Sequence, residues 1–277
     1  MKFAHVLVVG AGQMGAGIAQ VIAASGRRVS VQDAAPGAIE RGLDAIRHSL
    51  TRLAEKGGPD PDEVLARIEP VPDLVPAELM IEAVVEDLGV KEEIFRRADL
   101  VLPPAAVLAS NTSSIPINRL ASATKRPDKV IGMHFFNPVP VLKLVEVVRA
   151  VETSDETADA VIELAREVEK TPAVVNDSPG FVSNRILMPY INEAVWTLQE
   201  GVADAEAIDT IAKLGFAQPL GPLALADLIG LDTCVAILEV LREGLADDSY
   251  APAPLLLEHV NAGRLGRKSG RGFYEYG

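Results

Sequence analysis

Short apolar runs alternate with segments of helical periodicity along most of the chain. In the segment that begins near Pro36, apolar residues recur at spacings of four and three, which predicts an amphipathic helix with one face on a sheet. The glycine pair at 57–58 ends this helix. The other predicted helices are 14–25, 88–98 and 156–168, and the predicted strands are 6–9, 28–32, 80–85, 107–109, 130–133 and 142–148. This alternation is typical of an α/β fold of the Rossmann type, a doubly wound parallel sheet covered by helices.

The turn cluster at residues 176–180 marks a change of pattern. Strand-like runs end there, and helices are predicted near residues 181–199, 205–214 and 226–245. We therefore predict an α/β domain over residues 1–180 and an all-helical C-terminal domain over residues 181–277.

Charge and cysteine content narrow the classes of function. The formal net charge of −13 disfavours nucleic acid as a partner, because most of the surface repels phosphate. The single cysteine, Cys234, builds neither an internal disulfide nor a clustered metal site, so we expect no metal and a cytoplasmic location. The apolar stretch 223–241 contains three acidic residues, which disfavours a membrane span.

A complete glycine motif lies between the first predicted strand and the first predicted helix. Gly10, Gly12 and Gly15 permit a tight turn, a close backbone approach to a pyrophosphate, and close helix–strand packing. Asp33 ends the next strand, where an acidic residue accepts hydrogen bonds from an adenosine ribose. Because no arginine follows Asp33 in residues 34–36, the pattern predicts NAD rather than NADP.

Candidate catalytic residues follow other strands. His134 comes at the carboxyl end of a strand, where a parallel sheet opens into its ligand crevice, and Glu146 lies inside a run predicted to be buried. A buried carboxylate needs a partner, and a histidine that becomes cationic is one; an arginine or a backbone group is the alternative. The segment 110–114, which is rich in hydroxyl groups, and Asn184 are further candidates, with a turn or helix cap and ordinary helix polarity as their simpler interpretations.

Together these motifs resemble the 3-hydroxyacyl-CoA dehydrogenase family, particularly its short bacterial 3-hydroxybutyryl-CoA dehydrogenases. The resemblance runs nearly end to end, with Ser269 standing where threonine is more usual in the family. It is carried by the glycine motif and by residues 110–114 (SNTSS), 134–138 (HFFNP), 143–146 (KLVE), 177–185 (DSPGFVSNR) and 266–274 (GRKSGRGFY).

The resemblance implies reversible NAD-linked oxidation of an (S)-3-hydroxyacyl-CoA to the 3-ketoacyl-CoA. His134 would be the base, Glu146 would orient it, and Ser113 and Asn184 would hold the reacting oxygens of the substrate. Ser49 and Lys56 would contact coenzyme A, and the helical domain would form a homodimer. Residues that would line the cofactor are Gly10, Gly12, Gln13, Met14, Gly15, Asp33, Glu86, Lys91, Ser113, Asn137 and Lys268.

Two alternatives remain open on the sequence. One is a dehydrogenase of a related hydroxy acid without CoA, such as gulonate, and the other is a catalytically silent dinucleotide-binding protein resembling the crystallins of this family. Because NAD and acyl-CoA are anions and the chain is acidic, local cations must attract them. We therefore expect Lys56, Lys91 and Lys268 to converge on one cleft together with the N-terminus of the helix after Gly15.

Overall fold

The computed structural model describes residues 3–277. The chain forms two compact units, residues 1–177 and residues 178–277, which we call the α/β unit and the helical unit. The strands are β1 (His5–Val9), β2 (Arg28–Gln32), β3 (Ile68–Pro70), β4 (Leu79–Glu82), β5 (Val107–Ser110), β6 (Val130–Phe135), β7 (Leu144–Arg149) and β8 (Thr171–Asn176). Helices of the α/β unit are α1 (Gln13–Ala24), α2 (Ala38–Ala54), α3 (Pro61–Leu65), α4 (Leu88–Val101), α5 (Ile117–Ser122) and α6 (Asp155–Glu167).

One sheet of eight strands organises the α/β unit, in the order β3-β2-β1-β4-β5-β6-β7-β8. Strands β1 to β6 are parallel, as the Rossmann-type prediction requires, and that fold class is confirmed. The strand predicted at 142–148 is present as β7, but it runs antiparallel to β6, so its predicted parallel direction was wrong. The connection between β6 and β7 spans residues 136–143, which is too short for the crossover that parallel strands need.

Two strands, β3 and β8, were not predicted from the sequence. β3 has three residues and contains Pro70, and β8 begins Thr171-Pro172, so both carry a residue that weakens a strand pattern. β3 and β8 form the two edges of the sheet, where proline is tolerated because no further strand needs its N–H.

The long helix α2 packs its apolar stripe against α1 and the sheet, as predicted. Ile46 and Leu50 are buried in the core of the unit, in the same apolar cluster as Ile18 and Ile22 of α1. Gly37 precedes α2 with a positive φ of 69°, and Gly57 follows it with φ 83°, so glycines stand at both ends of the helix. The amphipathic pattern therefore determines both the helix and the face that it buries.

The helical unit contains α7 (Ser183–Gln199), α8 (Ala205–Gly215), α9 (Pro222–Ile229), α10 (Leu231–Leu245) and α11 (Pro254–Asn261). Residues 226–245 were predicted as one helix, but Gly230, with φ 105°, separates α9 from α10. Helix α11 was not predicted. Cys234 is fully buried in the core of this unit, and burial raises the pKa of its thiol to about 12, so this cysteine is structural.

Candidate active site

The turn between β1 and α1 has the geometry that its three glycines predict. Gly10 has φ 104°, a conformation that favours glycine, and a Cβ there would lie 2.5 Å from the Ala83 carbonyl oxygen. A Cβ on Gly15 would lie 1.8 Å from the carbonyl oxygen of Gly10, so α1 can approach β1 this closely only with glycine at that position. A Cβ on Gly12 would meet nothing within 4 Å, which leaves the backbone of the turn open.

The N-terminus of α1 supplies hydrogen-bond donors at this turn. Gly12 is the N-cap residue, and among the described residues no side chain caps the first N–H groups of the helix. Gln13 is exposed at the first position of the helix, whereas Met14 is half-buried and packs on the core of the α/β unit. An uncapped helix N-terminus with an open glycine turn fits the pyrophosphate of a dinucleotide.

Asp33 is held beside the glycine turn at the end of β2. The Ala11 N–H donates to its Oδ2 at 2.7 Å, and the Ala35 N–H donates to its Oδ1 at 2.8 Å. These two bonds orient a half-buried carboxylate next to the turn, the arrangement expected for a group that accepts hydrogen bonds from ribose hydroxyls. The residues present therefore fit NAD.

His134 and Glu146 face each other across the antiparallel pair β6–β7. His134 Nδ1 lies 2.8 Å from Glu146 Oε2, and the two residues are 5% and 2% exposed. Because an ionised carboxylate only accepts, the Nδ1–H donates to Glu146. This tautomer leaves Nε2 as an acceptor, 3.1 Å from the hydroxyl of Ser113. The structure thus brings three sequence-predicted residues into one hydrogen-bonded chain.

The segment 110–114, which carries Ser113, is organised by Glu86. Glu86 Oε1 accepts hydrogen bonds from Thr112 Oγ1 at 2.5 Å, from the N–H groups of Ser113 and Ser114 at 3.0 Å, and from Ser114 Oγ at 2.9 Å. Burial alone would raise the pKa of Glu86, but the charge of Lys91 and these hydrogen bonds outweigh it and lower that pKa. Glu86 therefore stays ionised at neutral pH and anchors the turn.

The side chain of Lys91 is buried rather than exposed to a ligand cleft. It is 1% exposed, and its Nζ lies 2.6 Å from Glu82 Oε1 and 3.2 Å from Glu86 Oε2. Two carboxylates thus balance its charge. Lys56 is exposed beyond the C-terminus of α2, about four helical turns along the chain from Gly42, where that helix passes the glycine turn. Lys91 is thus buried and paired whereas Lys56 is exposed, and the convergence of these two lysines on one cleft stays a prediction.

Two predicted residues belong to the helical unit. Asn184 is buried in the first turn of α7, where its N–H donates to the Gly180 carbonyl at 3.1 Å. Lys268 is half-exposed, and its Nζ lies 2.5 Å from Asp232 Oδ1. Like Lys91, Lys268 is paired with a carboxylate, so its charge is partly balanced within its own unit.

A cavity of about 440 Å³ opens beside the glycine turn, bounded by α1, α2 and the loop 137–140. Its lining brings together Gln13, Ser49 and Asn137, three of the sequence-predicted residues. Arg41, which the sequence analysis missed, also lines it. As an exposed arginine one turn into α2, Arg41 carried no signal that separates it from an ordinary solvated side chain.

Gln20 and Pro140 line this cavity and also a second one of about 540 Å³. The second cavity is also lined by Gly57 and Lys143, and we call the two neighbouring cavities the groove along α1 and α2. Gly42 keeps α2 close to the glycine turn: a Cβ there would lie 2.7 Å from the Ala11 carbonyl oxygen. Sequence analysis also missed Gly42, a small residue within the buried stripe of the helix.

The part of the chain that the structure describes, residues 3–277, contains no group of three or more histidine, cysteine or acidic side chains placed to hold a metal ion. Within the same residues, every helix is too short or too polar to cross a membrane.

Comparisons with known proteins place this geometry in one family. The family model described as "3-hydroxyacyl-CoA dehydrogenase, NAD binding domain" matches residues 5–178, and the "C-terminal domain" model of the same family matches residues 180–276. The chain is 52% identical to a probable 3-hydroxybutyryl-CoA dehydrogenase of Bacillus subtilis, over all of this chain and 98% of that protein. It is 55% identical to the probable 3-hydroxybutyryl-CoA dehydrogenase of Deinococcus radiodurans over the full length of both.

Among solved structures, (S)-3-hydroxybutyryl-CoA dehydrogenase from Ralstonia eutropha superposes with a TM-score of 0.95 at 46% identity, with both chains fully covered. Two family models that cover nearly the whole chain, relatives at about half identity and a full-length structural match all agree. The chain therefore belongs to the 3-hydroxyacyl-CoA dehydrogenase family.

Proposed function

We propose that this protein catalyses the reversible NAD-dependent oxidation of a short (S)-3-hydroxyacyl-CoA, such as 3-hydroxybutyryl-CoA, to the 3-ketoacyl-CoA. The hydrogen-bonded chain from Glu146 through His134 to Ser113 carries the proposal. The relatives that are about half identical to this chain bear the name 3-hydroxybutyryl-CoA dehydrogenase, which supports the substrate class.

His134 is the base in this proposal. Alcohol oxidation requires the hydroxyl oxygen to lose its proton as a hydride leaves the carbon that bears it. An imidazole nitrogen suits that proton transfer near neutral pH. The tautomer set by Glu146 presents Nε2 as the acceptor, and the carboxylate then stabilises the imidazolium. Ser113 and Asn184 are proposed to hold the reacting oxygens of the substrate by hydrogen bonds.

The cofactor site is proposed at the open glycine turn. The N–H groups of residues 12–14 and the dipole of α1 would hold the pyrophosphate, and Asp33 would accept hydrogen bonds from the adenosine ribose. Further cofactor contacts are proposed for Glu86, Lys91, Asn137 and Lys268. When bound, NAD supplies the hydride acceptor, and the residues of the chain supply binding and orientation.

Acyl-CoA is proposed to lie in the groove along α1 and α2. Ser49 and Arg41 line its first cavity, and the second reaches Gly57, next to Lys56. These local hydroxyl and cationic groups offset the overall charge of −13 for an anionic ligand. Arg41 thus adds a cation to those that the sequence analysis proposed for the attraction of phosphate groups.

The direct test follows the NADH absorbance band with NADH plus acetoacetyl-CoA or free acetoacetate, and with NAD plus gulonate, as alternative substrates. We expect turnover with acetoacetyl-CoA and an NAD-linked reverse reaction with (S)-3-hydroxybutyryl-CoA. Replacing His134 with alanine should lower kcat about 100-fold or more while NADH still binds. Turnover of gulonate alone would redirect the substrate assignment, and no turnover of any substrate would refute the proposed reaction.

We also propose a cytoplasmic homodimer that associates through the helical unit. The C-terminal end of α8 exposes three large apolar side chains: Ile211 is 56% exposed, Leu214 is 82% exposed, and Phe216 is 62% exposed. A cluster of this kind is typical of an interface. The variant Leu214→Glu should sediment as a monomer, whereas the control Leu100→Glu, at an 80% exposed position on α4, should remain dimeric. A monomeric wild-type protein would refute the dimer.

A further inference from the structure

Glu82 is a buried carboxylate with no role in the proposed proton transfer. It ends β4 opposite Ser110 of β5 in the parallel register and is fully inaccessible to solvent. Burying a carboxylate is costly unless hydrogen bonds and a cation compensate it, so its partners show what it stabilises. Its carboxylate accepts hydrogen bonds from Ser110, from Lys91 and from the Val84 N–H, the last at 2.7 Å, at the end of β4 beside the segment 110–114.

One hydrogen-bonded route leads from Glu82 to this segment through Ser110. The Ser110 hydroxyl donates to Glu82 Oε2 at 2.6 Å, and the same hydroxyl accepts the N–H of Thr112 at 3.1 Å. The Asn111 N–H also donates to the Glu82 carbonyl at 2.8 Å. Glu82 therefore determines how the chain leaves β5.

A second route runs through Lys91 and Glu86. Lys91 Nζ donates to Glu82 Oε1 at 2.6 Å and lies 3.2 Å from Glu86 Oε2. The other oxygen of Glu86 accepts the N–H groups of Ser113 and Ser114. Both routes thus end on the backbone that carries the Ser113 hydroxyl, 3.1 Å from His134 Nε2.

We propose that Glu82 is a positioning residue of the active site: through Ser110 on one side and the Lys91–Glu86 pair on the other, it fixes the turn that presents the Ser113 hydroxyl to His134. This inference rests on the proposed function for its catalytic consequence but not for its structural content. Glutamine at position 82 keeps the shape and can donate to Ser110. It removes one of the two charges that balance Lys91, and a buried cation that loses a partner reorganises its surroundings.

The first measurement is amide hydrogen exchange in Glu82→Gln, which needs no activity. We expect the amides of Ser113 and Ser114 to exchange about tenfold faster or more than in the wild type. The matched control is Asp99→Asn, which weakens a partly buried pair with Arg126 at the opposite end of α4. It should leave exchange at 113–114 unchanged. Unchanged exchange in Glu82→Gln would overturn the proposal, whatever substrate the enzyme uses.

The second measurement is a double-mutant cycle on kcat with Glu82→Gln and Ser113→Ala. If Glu82 acts through Ser113, its replacement should lower kcat about tenfold in the wild type but about twofold or less in the Ser113→Ala background. An equal loss in both backgrounds would overturn the proposal, because a general loss of stability acts independently of Ser113.

Ser110→Ala provides a milder variant if Glu82→Gln folds poorly. It removes one route while both carboxylates and Lys91 keep their charges. We expect faster exchange at the Thr112 amide and a loss of kcat smaller than that of Glu82→Gln. Wild-type exchange in this variant would remove the Ser110 route and overturn the proposal in its two-route form. An inactive wild type would refute the proposed function, while the exchange results would still decide the role of Glu82.

Discussion

Replacing Glu146 with glutamine tests the central contact of the site, the 2.8 Å hydrogen bond between His134 Nδ1 and Glu146 Oε2. Glutamine keeps the shape and one acceptor but loses the charge that stabilises the imidazolium. For charge centres about 4 Å apart at an effective dielectric constant of about 20, the lost attraction is about 4 kcal/mol. A retained neutral hydrogen bond recovers about 1 kcal/mol. The net loss of about 3 kcal/mol corresponds to a kcat about 100-fold lower.

The assay measures kcat at saturating NAD and (S)-3-hydroxybutyryl-CoA, with NADH binding and thermal melting measured on the same preparation. We expect NADH affinity to stay near the wild-type value, because the glycine turn and Asp33 do not depend on this contact. Glu275→Gln is the matched control, since that carboxylate is 78% exposed and lies 3.5 Å from Arg271. A folded Glu146→Gln enzyme with kcat within about threefold of the wild type would refute the reasoning.

Three other predictions test the cofactor site and its support. Asp33→Ala should reduce the ratio of kcat/KM for NAD to that for NADP by about tenfold or more, and an unchanged ratio would remove Asp33 from cofactor selection. Gly42→Ala should push α2 from the glycine turn and weaken NADH binding, with a stability loss of about 1–3 kcal/mol in chemical denaturation, whereas the open position Gly215 should accept alanine. Because the folded pKa of Glu86 is lowered from 4.5, its ionised form stabilises the protein above that pH. Glu86→Gln should therefore melt below the wild type at neutral pH, and the difference should shrink below pH 4.5 and be lost as the pH falls through the lower folded pKa; a difference independent of pH would contradict this assignment.

The sequence predicted those helices, strands and turns that are stabilised by residues close to one another in the chain. The glycine motif, the stripe of α2 and the apolar runs of the inner strands each carry their own period or turn signal, and all appear in the structure. The edge strands β3 and β8 were not predicted, because both contain proline and both depend on pairing with a neighbouring strand. The break at Gly230 between α9 and α10 was missed because the apolar residues on either side of it keep helical spacing.

The candidate site depended more strongly on tertiary structure. His134 and Glu146 are twelve residues apart, and a parallel β7, as first predicted, would not place them opposite each other. The antiparallel register does so, and it follows from the short connection between the strands. Lys91 gives a second example: its residue type predicted a cation near the cofactor, and only the fold shows that it is buried and paired with Glu82 and Glu86.

The sequence by itself determined the Rossmann-type class, the position of the glycine turn and the family resemblance, because these depend on residue types at fixed local spacings. Tertiary structure decided which polar groups meet. Hydrogen bonds and ion pairs act over about 3 Å between residues from separate strands, and only strand order and direction bring those residues together. Glu82 illustrates the difference. The sequence shows only a glutamate within an apolar strand, whereas the fold shows that its carboxylate is bonded to both Lys91 and Ser110.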